Sequence, residues 1–569
     1  MSLAEQFVKN TKNYDSYDDL AKEFEIKVPC NFNFAYDVAD VYAKNEPNKR
    51  ALVWCDDSGE ERIFTFNDLK HESDRAANFL KALGVKKGDS VMLILRRRYE
   101  FWFFLLALHK IGGIAVPATN MLHAPDLVYR NNAAGIKIII ALEDEELQKH
   151  VEAAQSSSPT VQNLVTVGNA RRGWISYPGW RNIITDVFVR PSGQNASKNE
   201  DIMLLYFTSG TSGEPKMVQH NFTYPLGHLV TAKYWHNVTD DGLHLTVAET
   251  GWAKAMWGKI YGQWIAGSAV FVYDMVSFVP SKLLEKIAKY KITTFCAPPT
   301  VYRYLIKIDL KKYDLSSLAH CTTAGEALNP DVSNKFTELT GLKIFEGYGQ
   351  TELTLTLGTF VWMKIKPGSM GKPAPGYDID IVNNEGKSCK TGEEGEIVLR
   401  LEKGHPFGMF AGYYHDAVMT EAVFEGGIYH TGDVAYRDED GYFWFSGRTD
   451  DMIKSAGFRI SPFEVESTLQ EHPAVLECAV TGVFDPGRGQ IVKATVVPAA
   501  GYEPNSVLGR ELQDYVKRMT ATYKYPRIIE FVEELPKTIS GKIRRNVIRA
   551  SDEANNSPDN SDDSSQYDE

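Results

Sequence analysis

Helical and strand-like segments alternate through the first half of the chain, and this alternation restricts the fold more than any other feature of the sequence. Phe66 to Leu83 has the apolar spacing of a helix, Ser90 to Leu95 is a short apolar strand, and Tyr99 to Ile111 is helical again. Gly84 and Gly88 punctuate the connections. Strands that alternate with helices are typical of parallel sheets with crossover helices, so the pattern predicts an α/β fold.

The same order of elements returns further along the chain. Ile138 to Ala141, Ala269 to Tyr273 and Thr293 to Cys296 are strand-like, and the helical segment Ser281 to Tyr290 lies between the last two. We therefore expect more than one α/β subdomain in this part of the chain.

Short strands separated by turn residues replace this rhythm between Gly376 and Phe445. Asp378 to Val382 and Glu396 to Leu401 are two such strands, and Asn-Asn, Glu-Gly and Asp-Gly turns separate the segments. This change predicts a β-rich, barrel-like lobe.

A polar joint at Thr449, Asp450 and Asp451 precedes a last α/β stretch that runs to about Arg549. Residues 551–569 are polar and acidic and almost free of large aliphatic side chains, so we expect them to be disordered. The predicted architecture is α/β, with a large N-terminal domain (1–449) of two α/β subdomains plus a β-barrel-like lobe. A small, mobile α+β C-terminal domain (450–550) and the acidic tail (551–569) complete it.

Charge and cysteine usage exclude several classes of protein. The formal net charge of −12 disfavours a nucleic-acid enzyme, which needs a basic surface. The longest apolar block, Phe101 to Leu108, falls far short of the roughly 18 residues of a membrane span, so no stable membrane association is expected. The six cysteines contain no C-x-x-C pair, which fits a reducing cytoplasm.

A loop rich in small residues, 208-TSGTSGEPK-216, follows the strand-like run Ile202 to Phe207. Small residues let backbone N–H groups and hydroxyls surround phosphate oxygens, and Lys216 adds a positive charge. An ordinary surface loop has the same composition, so the chemistry of the loop alone leaves both interpretations open. The spacing excludes a Walker A loop, because Pro215 stands where the second glycine is required.

A second polar segment, 346-EGYGQTE-352, follows the strand-like residues Lys343 to Phe345. A carboxylate beside a phosphate loop suits Mg²⁺, which takes hard oxygen ligands from one or two side chains and from phosphates. A solvated turn remains the alternative. His220, His228, His236 and His244 recur every eight residues, a period that fits neither a helix face nor a strand face, and we interpret them as incidental.

With four further motifs, these two segments resemble the adenylate-forming superfamily of acyl-CoA synthetases, peptide-synthetase adenylation domains and luciferases. The other motifs are 324-AGE-326, 429-YHTGD-433, 447-GRTDDMIKSAGFRISPFEVE-466 and 536-PKTISGK-542, all in the family's order. Tyr-Gly-Gln-Thr-Glu at 348–352 and Tyr-Lys-Tyr-Pro-Arg at 523–527 are most similar to medium-chain acyl-CoA synthetases. The resemblance implies an AMP-forming acid–thiol ligase that uses ATP, Mg²⁺ and coenzyme A.

The resemblance also implies roles for individual residues. Thr208 and Glu352 would ligate Mg²⁺, Asp433 would bind the ribose, and Asp450 would be the hinge of the mobile domain. The expected catalytic residues are Lys542, Glu352, Thr351 and Lys216. The expected ATP-binding residues are Thr208, Ser209, Gly210, Thr211, Ser212, Gly213, Glu214, Pro215, Lys216, Gly325, Glu326, Ala327, Glu346, Gly347, Tyr348, Gly349, Gln350, Thr351, Asp433, Arg448 and Lys542.

Two further sets of residues concern the acid and coenzyme A. By the resemblance, the acyl site contains Trp252, Lys254, Trp257, Gly349, Thr351 and Arg459. The coenzyme A site contains Ala456, Gly457, Phe458, Arg488, Lys517, Tyr525, Pro526 and Arg527.

The size of the acid is predicted from Gly349 and Lys254. Acetate-specific relatives carry a tryptophan at the position of Gly349, so glycine there is expected to open the pocket to a longer chain. Lys254 departs from the apolar residues expected in this region, and it either points away from the pocket or narrows it. The hypothesis is therefore a medium-length or branched aliphatic acid, with an aryl acid as the alternative.

Other functions stay in competition. A free-standing enzyme that loads a carrier protein, a luciferase-like enzyme and a non-catalytic nucleotide-binding protein share the scaffold. The last would be expected to lack Lys542 or Glu352, and both are present. The expected partners are a small carboxylic acid, ATP and coenzyme A, without nucleic acid, and a homodimer is considered as the assembly.

Overall fold

The computed structural model describes residues 2–10, 13–208, 214–537 and 542–555. The chain forms two compact units. The first comprises the chain up to Thr208, Pro215–Ile379 and Arg400–Tyr429, and the second comprises Asp380–Leu399 and the chain from His430. Residues 209–213 of the predicted phosphate loop, namely Ser209, Gly210, Thr211, Ser212 and Gly213, lie outside the described residues.

The first unit contains two sheets whose strands alternate with helices. Its helices are α1 (Tyr17–Glu23), α2 (Asp40–Asn45), α3 (Phe66–Ala82), α4 (Glu100–Ile111), α5 (Ala124–Ala133), α6 (Glu145–Gln155), α7 (Tyr177–Arg181), α8 (Tyr224–Val230), α9 (Lys254–Gly258), α10 (Tyr261–Ile265), α11 (Pro280–Tyr290), α12 (Pro299–Leu305), α13 (Pro330–Thr340) and α14 (Ala417–Val423). Its strands are β1 (Arg50–Asp56), β2 (Glu61–Thr65), β3 (Ser90–Ile94), β4 (Ile114–Pro117), β5 (Ile136–Ala141), β6 (Asn163–Thr166), β7 (Ile175–Ser176), β8 (Ile202–Thr208), β9 (Lys216–Asn221), β10 (Leu243–Thr246), β11 (Ala269–Asp274), β12 (Thr294–Cys296), β13 (His320–Thr323), β14 (Ile344–Gly349), β15 (Leu355–Gly358) and β16 (Ser369–Pro373).

The strand order explains the predicted crossover pattern. One sheet runs β7, β6, β5, β3, β4, β8, β9, and the other runs β2, β1, β11, β10, β12, β13, β14, β15, β16. Strand β3 pairs in parallel with both β4 and β5, and β12 and β13 pair in parallel with each other and with β10 and β14. Because parallel neighbours need a crossover, the helices lie between them in sequence.

Local side-chain chemistry sets the ends of the helices. Thr65 and Asp68 form a capping box at the start of α3, since the Thr65 hydroxyl accepts from the Asp68 amide and the Asp68 carboxylate accepts from the Thr65 amide. Gly112 ends α4 with φ of 80°, a left-handed conformation that glycine adopts without strain. Leu283, Leu284 and Ile287 are the buried face of α11.

The second unit contains two groups of paired strands. Its strands are β17 (Ile379–Val382), β18 (Gly395–Arg400), β19 (Ile428–Arg437), β20 (Phe443–Arg448), β21 (Ile453–Ser455), β22 (Phe458–Ile460), β23 (Val475–Asp485), β24 (Gly489–Pro498) and β25 (Ile528–Phe531). Its helices are α15 (Pro462–Gln470), α16 (Ser506–Met519) and α17 (Arg545–Asn555). Strands β17 to β20 are ordered consecutively, while β22, β21, β24 and β23 form the other sheet with β25 beside β24.

The α/β fold class is confirmed, and two details of the strands differ from the sequence-based expectation. The β-rich lobe is an open sheet, and the described strands close no barrel. Strand β14 continues through Gly349, so 346-EGYG-349 is sheet rather than the turn after a strand. The reason is pairing with β15, in which Gly347 lies opposite Gly358 and Tyr348 opposite Leu357.

The predicted boundaries 1–449 and 450–550 with a moving C-terminal domain stay a prediction. Helix α17 extends to Asn555, into the stretch predicted to be a disordered tail, and residues 556–569 lie outside the described residues. Within the ranges that the structure describes, no helix combines the length and the apolar character needed to cross a bilayer.

Candidate active site

Two segments predicted to bind ATP lie at the ends of neighbouring strands in the first unit. Ala324, Gly325 and Glu326 directly follow β13, and Glu346 to Gly349 end the adjacent strand β14. Loops at the carboxyl ends of parallel strands meet at one edge of the sheet and commonly form ligand sites in α/β proteins. The fold therefore brings the two segments together, as the resemblance implies.

Two glycines on one face of β14 each accommodate an indole ring. A Cβ atom at Gly347 would lie 2.6 Å from Cζ2 of Trp235, and one at Gly349 would lie 2.6 Å from Cη2 of Trp257. Residues two apart on a strand share a face, and the two indoles pack edge to face with ring centroids 6.2 Å apart. Each glycine thus leaves room for a tryptophan from another part of the chain.

This packing changes the interpretation of Gly349. Glycine at 349 is expected to open the acyl pocket, but the ring of Trp257 occupies the space next to it, and Trp257 is only 6% exposed. Trp257 belongs to the predicted acyl-site segment, together with the partly exposed Trp252. The predicted pocket is therefore bounded at Gly349 by Trp257.

The side chain of Lys254 points toward the segment after β13. Its Nζ donates a hydrogen bond to the carbonyl of Ala324 and lies 3.4 Å from the position of a Cβ at Gly325. Gly325 has φ of 100°, a conformation that residues with a Cβ rarely adopt. The Lys254 ammonium group is therefore directed at residues that are predicted to bind ATP.

The Glu346 carboxyl group is directed into the protein rather than into an open site. Its Oε1 accepts a hydrogen bond of 2.6 Å from the Gly368 amide, and its backbone carbonyl accepts from Trp235 Nε1 at 3.1 Å. Burial raises the pKa of Glu346 to about 8, although the hydrogen bond from the Gly368 amide opposes the shift. This carboxyl is thus engaged in holding the neighbouring loop.

Residues distant in sequence brace the turn at 350–353. The hydroxyl of Tyr429 donates to Gln350 Oε1 at 2.9 Å, and that of Tyr413 donates to Glu352 Oε1 at 3.0 Å. His220 Nε2 donates to the carbonyl of Thr351 at 2.8 Å. These contacts fix the segment that carries Thr351 and Glu352.

The four regularly spaced histidines are all buried, so the interpretation of them as incidental missed a structural role. Burial lowers the pKa of His220 to about 3, so its ring is neutral and donates through one nitrogen. His236 Nδ1 lies 2.9 Å from Thr322 Oγ1, and its ring is 4.4 Å from that of His244. No local sequence signal marked these contacts, because their partners lie in other elements.

The described ends of the phosphate loop are paired with each other. Thr208 ends β8, Lys216 begins β9, and the two residues are opposite in the antiparallel ladder. Lys216 Nζ lies over the ring of Tyr413, 5.2 Å from its centroid, and Tyr413 is the residue that binds Glu352. The carbonyl of Pro215 accepts from Tyr129 OH at 3.0 Å, and Glu214 is exposed.

In the second unit, two predicted nucleotide ligands and the predicted hinge residue are charged and contact one another in a row. Asp433 and Arg448 are opposite on β19 and β20, and Arg448 Nη1 lies 3.1 Å from Asp433 Oδ1. Arg448 Nε also lies 3.6 Å from Asp450 Oδ1. The predicted ribose ligand and the predicted hinge residue therefore share one arginine.

The predicted coenzyme A segment 456–458 is the tip of a tight hairpin. Ala456 and Gly457 connect β21 to β22 with φ of 49° and 85°, as two-residue hairpin turns require. The Ala456 amide donates to the carbonyl of Arg488 at 2.8 Å. Phe458 is half exposed and stacks on Tyr523, with ring centroids 4.3 Å apart.

A second group of predicted coenzyme A residues surrounds one aromatic ring. Lys517 Nζ lies 4.4 Å and Arg527 Cζ lies 5.0 Å from the centroid of Tyr525, and Arg527 Nη1 donates to the Tyr525 hydroxyl at 3.0 Å. Pro526 lies between the aromatic residue and the arginine in sequence. Arg459, predicted to belong to the acyl site, is exposed and contacts Asn384 Oδ1 at 3.2 Å.

Lys542 is exposed, and backbone contacts join described residues on either side of it. Lys537 and Ile543 form an antiparallel bridge, and the Arg544 amide donates to the carbonyl of Pro536 at 2.8 Å. The predicted catalytic lysine therefore precedes helix α17 by three residues.

Known proteins are similar to this chain over most of its length. Residues 39–414 match the family described as AMP-binding enzyme, and residues 464–542 match the AMP-binding enzyme C-terminal domain. The mitochondrial acyl-coenzyme A synthetase ACSM3 of Homo sapiens is 40% identical over 95% of this chain and 92% of its own length. The human mitochondrial acyl-coenzyme A synthetase ACSM5 is 42% identical over 92% of this chain and 91% of its own length.

A solved structure is similar over most of its length. The anthranilate CoA ligase AuaEII, in complex with anthranoyl-AMP, superposes with a TM-score of 0.83 and 32% sequence identity, over 92% of this chain and 98% of that one.

Proposed function

The chain belongs to the AMP-binding enzyme family, and on that premise we propose that it joins a medium-length or branched aliphatic acid to coenzyme A. It is an AMP-forming acyl-CoA synthetase, which converts ATP, a carboxylic acid and coenzyme A into acyl-CoA, AMP and pyrophosphate. The proposal concerns the acid and the residues that act on each substrate.

The observation that supports this acid is the packing of Trp257 against Gly349. An indole at the boundary of the predicted pocket limits the length of a straight acyl chain. Gly349 beside it has no side chain, which leaves width for a branched acid. One methylene in an apolar pocket is worth only about 1–3 kcal/mol, so we expect graded preferences across chain lengths.

An aryl acid is the second candidate. The similar anthranilate ligase acts on an aromatic acid, as its name states. Trp252 and Trp257 would offer flat surfaces on which an aromatic ring could stack, and such contacts contribute about 0.5–1.5 kcal/mol beyond the buried area.

We assign the phosphates of ATP and their Mg²⁺ to Thr208 to Lys216 and to Glu352. Hydroxyl and carboxylate oxygens suit Mg²⁺, and Tyr413 orients the Glu352 carboxylate through a hydrogen bond of 3.0 Å, so these residues fit the ion. When bound, Mg²⁺ neutralises phosphate charge. Lys216, held over Tyr413, contributes a further positive charge.

Asp433 and Arg448 are assigned to the ribose side of the nucleotide. Asp433 is 5% exposed, and its contact with Arg448 fixes the orientation of the carboxylate. A carboxylate of fixed orientation can accept hydrogen bonds from two adjacent hydroxyl groups. The other ATP residues, Gly325, Glu326, Ala327 and 346–351, would enclose the base and the α-phosphate.

Lys542 is assigned to the adenylation half-reaction. An oxygen of the acid attacks the α-phosphorus, the bond to pyrophosphate breaks, and an acyl-adenylate forms. Both reactants are anions, and an ammonium group near the attacking and leaving oxygens offsets their repulsion as charge develops. Orientation of the reactants by the other residues supplies the rest of the catalysis.

Coenzyme A is assigned to the exposed surface of the second unit. Its sulfur attacks the acyl carbon, its thiol proton is released, and AMP leaves. Lys517 and Arg527, positioned around Tyr525, suit the coenzyme A phosphates, and Gly457 at the hairpin tip leaves space for the pantetheine arm. Family enzymes use one C-terminal domain for both half-reactions, with Asp450 as hinge, and we extend this scheme to the chain.

A substrate panel tests the acid. Acyl-CoA formation is measured with acetate, branched C4 to C6 acids, octanoate and benzoate, at matched ATP and coenzyme A. We expect kcat/KM to be highest for a branched or medium-length acid and about tenfold lower for acetate. A preference for acetate contradicts the proposal, and a preference for benzoate favours the aryl alternative.

A second experiment separates the half-reactions. Lys542→Ala is expected to abolish ATP–pyrophosphate exchange while thioester formation from supplied acyl-adenylate persists. Equal loss of both reactions would contradict the assignment of Lys542, and pyrophosphate exchange without any thioester in the native protein would favour a carrier-loading enzyme.

Compartment and assembly are also proposals. The six cysteines are free thiols, five of them buried, which is consistent with a reducing cytoplasm. The curated relatives named above are mitochondrial by name. A homodimer is proposed as the assembly, to be tested by sedimentation.

A further inference from the structure

Helix α17 begins three residues after Lys542, and its docking carries an inference about that lysine. One face of α17 presents Arg545, Ile548, Arg549 and Asp552, at spacings of three and four residues that place them on one side of a helix. We call this set the α17 face. Ile548 is 6% exposed and belongs to a small apolar cluster with Ala479, Val497 and Leu535.

The remaining members of the α17 face form ion pairs with largely buried partners. Arg545 binds Glu466 through two nitrogens, with Nε to Oε1 at 3.1 Å and Nη2 to Oε2 at 2.6 Å. The Glu466 side chain is 7% exposed, and its Oε1 also accepts from the Val480 amide at 2.8 Å. Bidentate arginine–carboxylate pairs fix orientation as well as distance.

Asp451 joins both arginines. Its Oδ1 lies 2.6 Å from Arg549 Nη1, its Oδ2 lies 3.6 Å from Arg545 Nη1, and its side chain is 10% exposed. Asp451 follows the proposed hinge residue Asp450 directly in sequence. A residue next to the proposed hinge therefore holds the start of the helix that follows Lys542.

The connection from this network to Lys542 is short and constrained. Arg545 is three residues beyond Lys542, and Ile543, the residue directly after Lys542, forms a bridge with Lys537. The Arg544 amide donates to the carbonyl of Pro536, so the backbone directly before Arg545 is also fixed. The docking of Arg545 therefore acts on the chain only three residues from Lys542.

We propose that Asp451, acting through Arg549 and Arg545, is a positioning residue that sets where the Lys542 ammonium lies during adenylation. The inference rests on the role proposed above for Lys542. A displacement of a catalytic group by about 1 Å can cost about a hundredfold in rate, so a modest change in docking should be measurable.

The test compares two substitutions at one position. Arg549→Gln removes the charge that pairs with Asp451, and Arg549→Lys keeps it. We expect Arg549→Gln and Asp451→Asn to lower kcat of ATP–pyrophosphate exchange about tenfold or more, with KM for ATP and acid within about twofold. Arg549→Lys should retain most of the activity.

The second half-reaction provides the control for a general loss of structure. Thioester formation from supplied acyl-adenylate should stay within about twofold in these variants, because Lys542 is not assigned to that step. Parallel loss of both half-reactions, or equal losses in Arg549→Lys and Arg549→Gln, would overturn the inference. Unchanged exchange in Arg549→Gln and Asp451→Asn would overturn it as well.

A variant at the far end of α17 distinguishes this positioning from docking of the helix as a whole. Lys493 pairs with Asp552 and, at 2.7 Å, with Glu530. Lys493→Gln should leave pyrophosphate exchange within about twofold, and a selective loss equal to that of Arg549→Gln would refute a specific role for Asp451. Lys542→Ala is assayed alongside. If this variant retains pyrophosphate exchange, the proposed function of Lys542 fails. If it loses exchange while the Arg549→Gln and Asp451→Asn variants keep it, only the role of Asp451 is refuted.

Discussion

The indole of Trp257 lies against Gly349, where a Cβ atom would approach Cη2 to 2.6 Å and the carbonyl oxygen of Thr354 to 2.2 Å. The pair defines one wall of the predicted acyl pocket, and neither residue can be exchanged without consequence for the other. A tryptophan at 349 could not coexist with the present position of Trp257. We therefore expect Trp257 in α9, rather than Gly349 in β14, to limit the size of the acid.

Shortening the side chain at 257 should shift the preferred acid toward longer chains. In Trp257→Leu, the ratio of kcat/KM for octanoate to that for a branched C5 acid should rise about tenfold, because the space beside Gly349 becomes available. The ratio is obtained from initial rates of acyl-CoA formation. An unchanged ratio would show that the acyl chain does not reach Trp257.

Adding a single methyl group at 349 should destabilise the protein. Gly349→Ala forces contact with backbone of Thr354, and overpacking of this kind costs about 1–3 kcal/mol. Urea unfolding measures the change. The matched control is Gly179→Ala in α7, where the nearest atom to a new Cβ is 3.9 Å away, and this variant should keep the stability of the native protein.

The buried Glu346 carboxyl should make stability fall as pH rises. Its pKa of about 8 in the folded protein exceeds the value of about 4.3 in an unfolded chain, so between these values the folded state binds more protons. The free energy of unfolding then decreases with pH by at most about 1.4 kcal/mol per unit from this group, and levels off above its folded pKa.

Glu346→Gln removes that dependence while keeping an oxygen for the Gly368 amide. Urea unfolding at about pH 5, 6, 7 and 8 measures the free energy of unfolding of both proteins. From pH 5 to pH 8 this free energy should fall less in the variant than in the native protein, and the accumulated difference should be largest at pH 8. Identical slopes would mean that the group is ionised in the folded state.

Removing the charge of Asp433 should weaken ATP binding. Asp433→Asn removes the negative charge that pairs with Arg448 at 3.1 Å and replaces one acceptor oxygen by an NH₂ group, so KM for ATP should rise about tenfold. The control is Asp378→Asn, which breaks a surface pair with Lys403 and should leave KM for ATP unchanged. An unaltered KM in Asp433→Asn would remove Asp433 from the nucleotide site.

The cations around Tyr525 should affect only the second half-reaction. Arg527→Ala should raise KM for coenzyme A about tenfold and leave ATP–pyrophosphate exchange within about twofold. Lys291→Ala, which removes an exposed cation that pairs with Asp314, serves as the charge-matched control. A rise in KM for ATP in Arg527→Ala would place this arginine elsewhere in the reaction.

The fold class and the order of the elements could be predicted because local patterns determine them. The start of α3 at Phe66 follows from the Thr65 and Asp68 capping box, and the end of α4 follows from Gly112. The sequence predicts a strand that ends at Phe345, because the glycines of β14 are typical turn residues. Pairing with β15 extends the strand to Gly349. Tertiary contacts here outweigh local propensity.

The residues that brace the site could not be predicted in this way. Tyr413 and Tyr429 bind Glu352 and Gln350 from positions far along the chain, and Trp235 reaches Gly347 from a segment with no motif. The sequence placed Trp257 in the acyl region but gave no reason to pair it with Gly349. Such contacts depend on packing between elements, which period and composition do not encode.

The docking of α17 also determines where the C-terminal unit physically ends. The match to the family's C-terminal domain ends at residue 542. Beyond it, Arg545 pairs with Glu466, Arg549 with Asp451, and Asp552 with Lys493. A polypeptide cut at the family boundary would leave these largely buried carboxylates without counter-ions, at a cost of about 3–5 kcal/mol for each broken pair. The smallest fragment that can fold as this unit therefore extends at least through Asp552, ten residues past the lysine that the family match ends on.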